Sequence, residues 1–436
     1  MKHLSIFQLI FLCVFGALAV SGVLIFALVV GGNNANDAGP VEIWGTLDSK
    51  AFSNFIEQAG NSDPRLSQLT YVQKDQATYE SDITNALANG AGPDLFLLRQ
   101  DYALKNAGKI APMPQSLSAS QFHNTFIDAA DPFFSSAGAL GIPLFVDPLV
   151  LYWNGDMLGA AGFAKPPAYW EELPGMTQAI TKKSDAGSII KSAIAFGEYS
   201  NVPHAKEILS ALILQAGGSI TQIDDAKRLS AALVARSGSA QQATENALRF
   251  YTQFADPSNS VDYTWSRALP DASKAFAAGD LALYVGYASE GPSIISANPN
   301  LNFAVASLPQ IKDGNNSVST AVDTAHVYAL AVSRGAKNQR GAIVIANLLA
   351  SPDYAKSLSS GLGIPSALRD VLSQPAQGAS DLFNKAAIIS RSWRDPDPEK
   401  TSDIFRAMIE RVSTGALRLS DAVARANEEL SQVIGI

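Results

Sequence analysis

One segment narrows the possible folds of this 436-residue chain more than any other. From Pro143 to Tyr152 it reads PLFVDPLVLY, an extended apolar run broken at its middle by Asp147-Pro148. Proline removes a donor from a sheet ladder, so one uninterrupted central strand is not expected here. Two half-strands that leave one sheet and enter another explain the pattern, which makes the segment a crossing between lobes. The chain from Val41 onward is also far larger than a typical domain of about 100–150 residues, so two lobes are the default expectation.

The flanking sequence supplies material for two sheets. Val41, Ile43 and Trp44 begin a short strand, and Phe52, Phe55, Ile56 and Ala59 then share one helical face. Leu69, Tyr71 and Val72 form a second strand, and Tyr79, Ile83, Ala86 and Leu87 a second amphipathic helix that Gly90 stops. Leu95 to Leu98, after Gly92-Pro93-Asp94, is a continuous apolar run of the kind buried on both faces of a sheet. This alternation predicts α/β architecture with doubly wound parallel sheets and right-handed crossovers. Further strands are expected at Leu281–Val285, at Phe303–Leu308 (a return crossing) and at Val327–Val332. Helices are expected near 206–215, 244–254 and 339–349, with a last one capped by Ser420. The expected division is 41–147 with about 304–350 in lobe 1, and 148–303 with about 351–436 in lobe 2.

The N-terminus carries a separate message. No residue from Leu4 to Val30 has a formal charge, and a bilayer core about 30 Å thick needs roughly 20 apolar residues in a helix. Lys2 precedes this run and the next basic residue is Lys50, so the positive-inside bias puts the following chain outside the cell. An uncleaved signal-anchor over 4–30 is the expectation, since a cleaved signal has an apolar region of only about 7–15 residues. Cleavage near Gly31 and lipidation at Cys13 are the alternatives; Cys13, the sole cysteine, follows Phe11 and Leu12 instead of a small residue. Residues 31–40, GGNNANDAGP, read as a flexible linker with a span of roughly 17 Å. The expected location is the cell membrane, single-pass, with the globular part extracellular or periplasmic.

Composition excludes more than it assigns. The net charge is −8 and no basic cluster occurs, so nucleic acid is not an expected partner. The four histidines at 3, 123, 204 and 326 form no metal-ligand spacing, and no nucleophile elbow or P-loop is present. Neither catalysis nor a cofactor or metal is therefore expected.

An ordered set of landmarks points to a family. They run from Ile43-Trp44-Gly45 through Gly92-Pro93-Asp94-Leu95-Phe96 and Gly108–Pro112 to Gly141-Ile142-Pro143 with Leu151–Asn154. Leu158, Ala161-Gly162 and Trp170–Leu173 follow, then Gln215–Gly218, Phe276–Ala282 with Gly286, Leu308-Pro309 and Gly363-Ile364-Pro365. In this order the chain resembles the family 1 extracellular solute-binding proteins of bacterial ABC importers, which are maltose-binding-protein-like. The resemblance implies a two-lobe periplasmic-binding-protein-like fold of type II, with a solute held between hinged lobes and delivered to transporter permease subunits. A monomer is expected.

The resemblance, with five tryptophans and twelve tyrosines available for stacking, makes a sugar the expected solute; apolar sugar faces stack on rings and hydroxyls bond to carboxylates, amides and guanidinium groups. Candidates at strand ends or crossings are Trp44, Thr46 and Asp48 after the first strand, Asp147 in the crossing, and Glu198 and Asn201 after Ala193–Phe196. Gln100 and Asp101 stand where the resemblance implies a sugar-binding acid, and Tyr287 where relatives often carry a stacking tryptophan. Trp265 and Trp393 complete the set, with Arg391 or Arg394 beside the latter. Packing or capping roles compete at Trp44, Asp101 and Asp147, and His204 and His326 read as ordinary histidines. A non-sugar solute (polyamine, metal or peptide) in the same fold, a membrane-anchored extracellular hydrolase, and a sensory or adhesive role without a transporter are the alternatives.

Overall fold

The computed structural model describes residues 38–111, 113, 118–135, 138–224, 228–234, 239–312 and 320–435. The run at 4–30 and most of the expected linker lie outside them. Among the described residues no helix is long and apolar enough to cross a membrane. Residues 38–40, expected to belong to the linker, are instead held on the body. Asn338 donates to the carbonyls of Ala38 and Pro40 at 2.7 and 3.0 Å.

The first half alternates as the pattern predicts. Strand β1 (Val41–Gly45) leads to helix α1 (Ser49–Gly60), β2 (Leu69–Gln73), α2 (Tyr79–Ala88) and β3 (Leu95–Arg99), with the short helix α3 (Ala103–Asn106) just beyond. β1 lies between β2 and β3, parallel to both. Asp94 explains the turn into β3: its carboxylate accepts from the Glu42 amide at 3.1 Å and the Asn338 amide at 2.9 Å. Those bonds satisfy backbone donors that a buried strand entry would otherwise strand without partners.

β4 (Ile142–Asn154) corrects the expectation of two half-strands, because the chain stays extended through Pro148. What changes there is the partner. β9 (Asp323–Val332) pairs antiparallel with Ile142 to Pro148, whereas β7 (Leu281–Tyr287) pairs from Leu149 onward and β8 (Phe303–Ser307) from Val150 onward. A proline is tolerated where one ladder hands over to another, since a missing donor costs little at that seam. Including β5 (Lys182–Lys183), β6 (Ile189–Ile194) and β10 (Ser390–Arg391), the described residues form a sheet of ten strands. Its main path runs β2-β1-β3-β9-β4-β7-β6-β5.

Two hydrophobic cores divide at the same seam. Ile142 to Val146 pack with the first and Leu149 to Tyr152 with the second, so Asp147-Pro148 is the crossing. The remaining division differs from the expected bounds. Phe303–Ser307 pairs with β4 in the second lobe, and Ala355 to Leu372 pack in the first. The reason is local: the helix Pro352–Leu362 lies on α1, with Tyr354 edge-on to Phe55 at 6.0 Å. The second lobe also takes α4 (Ala205–Gln215), α6 (Pro398–Ser413) and α7 (Leu419–Ile434), while α5 (Ala379–Ile389) touches both cores. The last helix starts at Leu419 with Arg418 as its cap residue, not at an Ser420 cap.

Candidate functional site

The strands of the first lobe end on one edge, where β1, β3 and the start of β9 stand side by side. Those of the second lobe, β6 and β7, run toward the same region from the other side. An open α/β sheet binds ligands outside such ends. Two cavities meet the hinge here. The first is lined from the first lobe by Gln100, Asp101 and Thr324–His326. Lys206, Glu207 and Ser210 of α4, Tyr287 at the end of β7, and the strap Arg391–Trp393 with Asp395 close it. The second, the roomier of the two, is lined by Thr46, Asp48 and Asp147 together with Ser289, Tyr328, Ile364 and Phe383.

Electrostatics in the first cavity is organised in pairs. Arg99 grips Asp101 through two bonds of 2.7 Å, Nε to Oδ1 and a terminal nitrogen to Oδ2. Burial opposes the charge on Asp101, but the charge and hydrogen bonds of Arg99 outweigh it and hold the carboxyl down at about 2. Lys206 spends all three protons on Asp395 (2.7 Å), Thr401 (2.7 Å) and the Pro398 carbonyl (3.3 Å). Arg391 pairs with Asp128 at 3.0 Å. By contrast the Glu207 carboxylate makes no hydrogen bond or ion pair to a described residue, and the buried Thr324 hydroxyl has no partner.

Between the lobes stands an aromatic pair. The Tyr287 ring stacks on His326 at 4.1 Å, and its hydroxyl lies 2.9 Å from His326 Nε2. Burial, reinforced by nearby Arg99, keeps the His326 pKa well below its usual value, so the ring is neutral. On the far side of Tyr287, His204 contacts Glu290 at 2.8 Å. His204 has the only positive φ of a non-glycine described residue, 61°. Beside the first cavity, Tyr102 and Lys105 reach across to Glu399, and Lys105 also to Asp397 at 3.1 Å. These contacts tie the lobes together directly after Asp101.

The profile of the bacterial extracellular solute-binding proteins matches residues 50–385. The chain belongs to this family. Its fold is similar to that of a cyclo/maltodextrin-binding protein complexed with maltotetraose, at 16% identity and a TM-score of 0.70, covering 92% of this chain and 99% of that one. It is also similar to the cyclic α-maltosyl-1,6-maltose-binding protein of Arthrobacter globiformis, at 16% identity and a TM-score of 0.72 over 91% and 99%. A Thermotoga lettingae ABC-transporter solute-binding protein bound with α-D-tagatose matches at 20% identity and 0.68 over 91% and 100%. The α/β two-lobe fold of binding proteins is thereby established, and a hydrolase is set aside.

In this solute-binding protein the eleven expected ligand residues do not come together as one group. Gln100, Asp101, Tyr287 and Trp393 line the first cavity, and Thr46, Asp48 and Asp147 the second. Several already have structural duties. Gln100 is clamped to β9, donating to the Ala325 carbonyl at 3.2 Å and accepting from the Val327 amide at 2.7 Å. Asp48 caps α1 by accepting from the Ala51 amide at 2.7 Å. Four residues lie in neither cavity. Trp44 is a partly buried neighbour of the first core, with Lys74 over its ring at 3.6 Å. Trp265 is only 1% exposed, inside the second core, and donates to Asn201. Asn201 in turn donates to the Ser266 and Leu269 carbonyls, so this pair fastens a loop. Glu198 is held by Arg267 at 2.9 and 3.2 Å. Glu198 and Asn201 follow β6 and are taken up by the loop around 265–269, while the Trp44 indole donates to Glu42 on its own strand.

Lys206, Glu207, Ser210, Thr324 and Ser289 were not anticipated. Residue type offers no signal for them; the helical phase of α4 does, since 206, 207 and 210 share a face. His326, read as ordinary, lines the first cavity.

Asp147 yields a pH prediction. Only 4% exposed, it accepts from the Ser289 amide at 3.0 Å and hydroxyl at 2.6 Å. Burial, partly offset by those bonds, pushes its carboxyl up to about 6 from 3.8. A raised acid contributes stability that is present in full below about pH 3.8 and is lost as pH rises through about 6. Asp147→Asn cannot titrate. Denaturant unfolding at a series of pH values should show wild type losing up to about 3 kcal/mol relative to the variant between pH 4 and 7. Parallel pH profiles would refute this.

Proposed function

We propose that this protein captures a neutral carbohydrate between its lobes and delivers it to the permease subunits of an ABC importer. The observation that carries the reading is the pairing of charge in the first cavity. Arg99, Lys206 and Arg391 each already face a carboxylate, so none is a spare cation for an anionic ligand. What is left for a ligand is a set of oxygen acceptors and ring faces: Asp101, Glu207, Thr324, Tyr287 and Trp393. Hydroxyl donors and apolar sugar faces suit that set. Relatives with the same fold that bind maltotetraose, a cyclic maltosyl-maltose and α-D-tagatose support the same class.

Asp101, Tyr287 and Trp393 are the first-cavity contacts in this reading, and Thr46, Asp48 and Asp147 those of the second. Hinge closure about Asp147-Pro148 buries the solute and makes the shape an importer reads, with the ligand's preference for the closed state supplying the signal. The apolar run 4–30 tethers a monomeric binder to the outer side of the cell membrane.

Calorimetric titration with maltotriose, maltotetraose, cyclic maltosyl-maltose and α-D-tagatose tests the ligand class, with putrescine, zinc and a tripeptide as controls. At least one sugar is expected to bind with a Kd of about 1 mM or tighter. Heat from a control and from no sugar would overturn the carbohydrate reading.

A further inference from the structure

Arg99 lines neither cavity, yet it holds the one acid that faces the first cavity from the end of β3. Its guanidinium meets Asp101 in a fork, one nitrogen to each oxygen at 2.7 Å. Two parallel charge-assisted bonds fix a carboxylate in its plane as a single bond cannot. Each oxygen has a second lone pair that the fork leaves open, and among the described residues no other group hydrogen-bonds Asp101. The pair is itself enclosed. Both side chains are largely buried, 22% and 12% exposed, so solvent does little to weaken the fork. The Arg99 backbone is in turn fixed by its register opposite Tyr328 on β9.

We propose that Arg99 is a positioning residue, whose fork orients the Asp101 carboxylate so that both oxygens accept from ligand hydroxyls. It acts through Asp101 and does not touch the ligand. This rests on the carbohydrate reading above, which it deepens: the site reads hydroxyl donors through an acid that stays ionised and aligned. Charged and titratable groups around Asp101 come from several elements. His326 and Tyr328 act on it electrostatically from β9, Lys206 from α4, Asp395 from the strap, Glu80 from α2, and Tyr102 from the next position in the chain. His326 is held neutral and Lys206 is committed to Asp395, so Arg99 is the cation that decides the state of this acid.

The full chain, titrated with maltotetraose and the other panel sugars between about pH 4 and 8, tests the idea. Wild type sets the reference profile, which also carries the titrations of Asp147 and Asp395, and each variant is read relative to it. Arg99→Met should weaken binding about 30-fold at neutral pH and lose about tenfold more toward pH 5, as the buried acid takes a proton. Arg99→Lys restores charge and one bond but not the fork, so it should recover part of the affinity and most of the wild-type pH profile. If Arg99→Met fails to fold, Arg99→Lys carries the comparison with a smaller loss. Arg99→Met binding like wild type, or losing affinity with an unchanged pH profile, overturns the proposal. A carboxyl-carbon NMR titration of Asp101 needs no ligand and separates the two readings. If no sugar binds wild type, the carbohydrate reading fails. The fork is then judged by whether Arg99→Met brings the Asp101 titration into this range; identical titrations overturn it.

Discussion

Lys206→Met is expected to destabilise the protein by about 3–5 kcal/mol, read from the midpoint of denaturant unfolding. The Lys206 and Asp395 side chains are 6% and 1% exposed, so almost no water reaches their ion pair. Burial works against both charges. At Lys206 the pull of Asp395 outweighs it and holds the ammonium above the usual lysine value; at Asp395 burial wins and pushes the carboxyl up to about 6. The ammonium is the member that stays charged, because three acceptors surround it. Methionine keeps the packing along α4 but leaves Asp395 with only the Thr401 hydroxyl and the Asp397 amide. Acidification should then rescue the variant, since Asp395 without its cation gains stability by taking a proton as pH falls. A double variant, Lys206→Met with Asp395→Leu, should recover much of the loss, because replacing both members leaves no buried charge unpaired. Loss of under about 1 kcal/mol in the single variant would show that water reaches the pair.

The second large effect concerns the ligand. Asp101→Ala is expected to lower affinity for whichever panel sugar binds by about 100-fold, the scale of losing charged hydrogen bonds in a buried site. Two costs combine: the ligand hydroxyls lose their acceptors, and Arg99 is left as a buried cation without its carboxylate. Asp101→Asn separates them. The amide keeps one acceptor oxygen but places an NH2 group against the guanidinium, so its loss should lie close to that of alanine. Trp44→Phe, outside both cavities, should leave affinity unchanged. Equal affinity for wild type and Asp101→Ala would remove this acid from the binding site.

The contrast between Asp101 and Glu198 shows how far such sites are legible. Both are acids just past a strand of the α/β alternation, and both are nearly buried. Arg99 sits two residues from Asp101 in the chain and leaves it facing the cavity. Arg267, 69 residues from Glu198, turns that acid to a loop instead. The first partner can be read locally and the second cannot. Trp265 and Trp393 make the same point for rings: both stand in polar sequence, yet one is sealed in a core and the other lines the cavity.

The amino-acid sequence by itself determined the strand–helix alternation, the buried β3 run, the crossing at Asp147-Pro148 and the family. Each of these depends on short-range patterns: apolar periodicity, turn residues and a proline without a donor. Only the tertiary structure decided that β4 runs unbroken through that proline, and that 355–372 belongs with the first lobe. It alone decided which polar side chains face the hinge. Those facts depend on partners far apart in the chain, as with Gln100 clamped to Ala325 and Val327, or Lys206 to Asp395. A side chain's availability is what remains after such distant claims on it are met, and no local pattern records them.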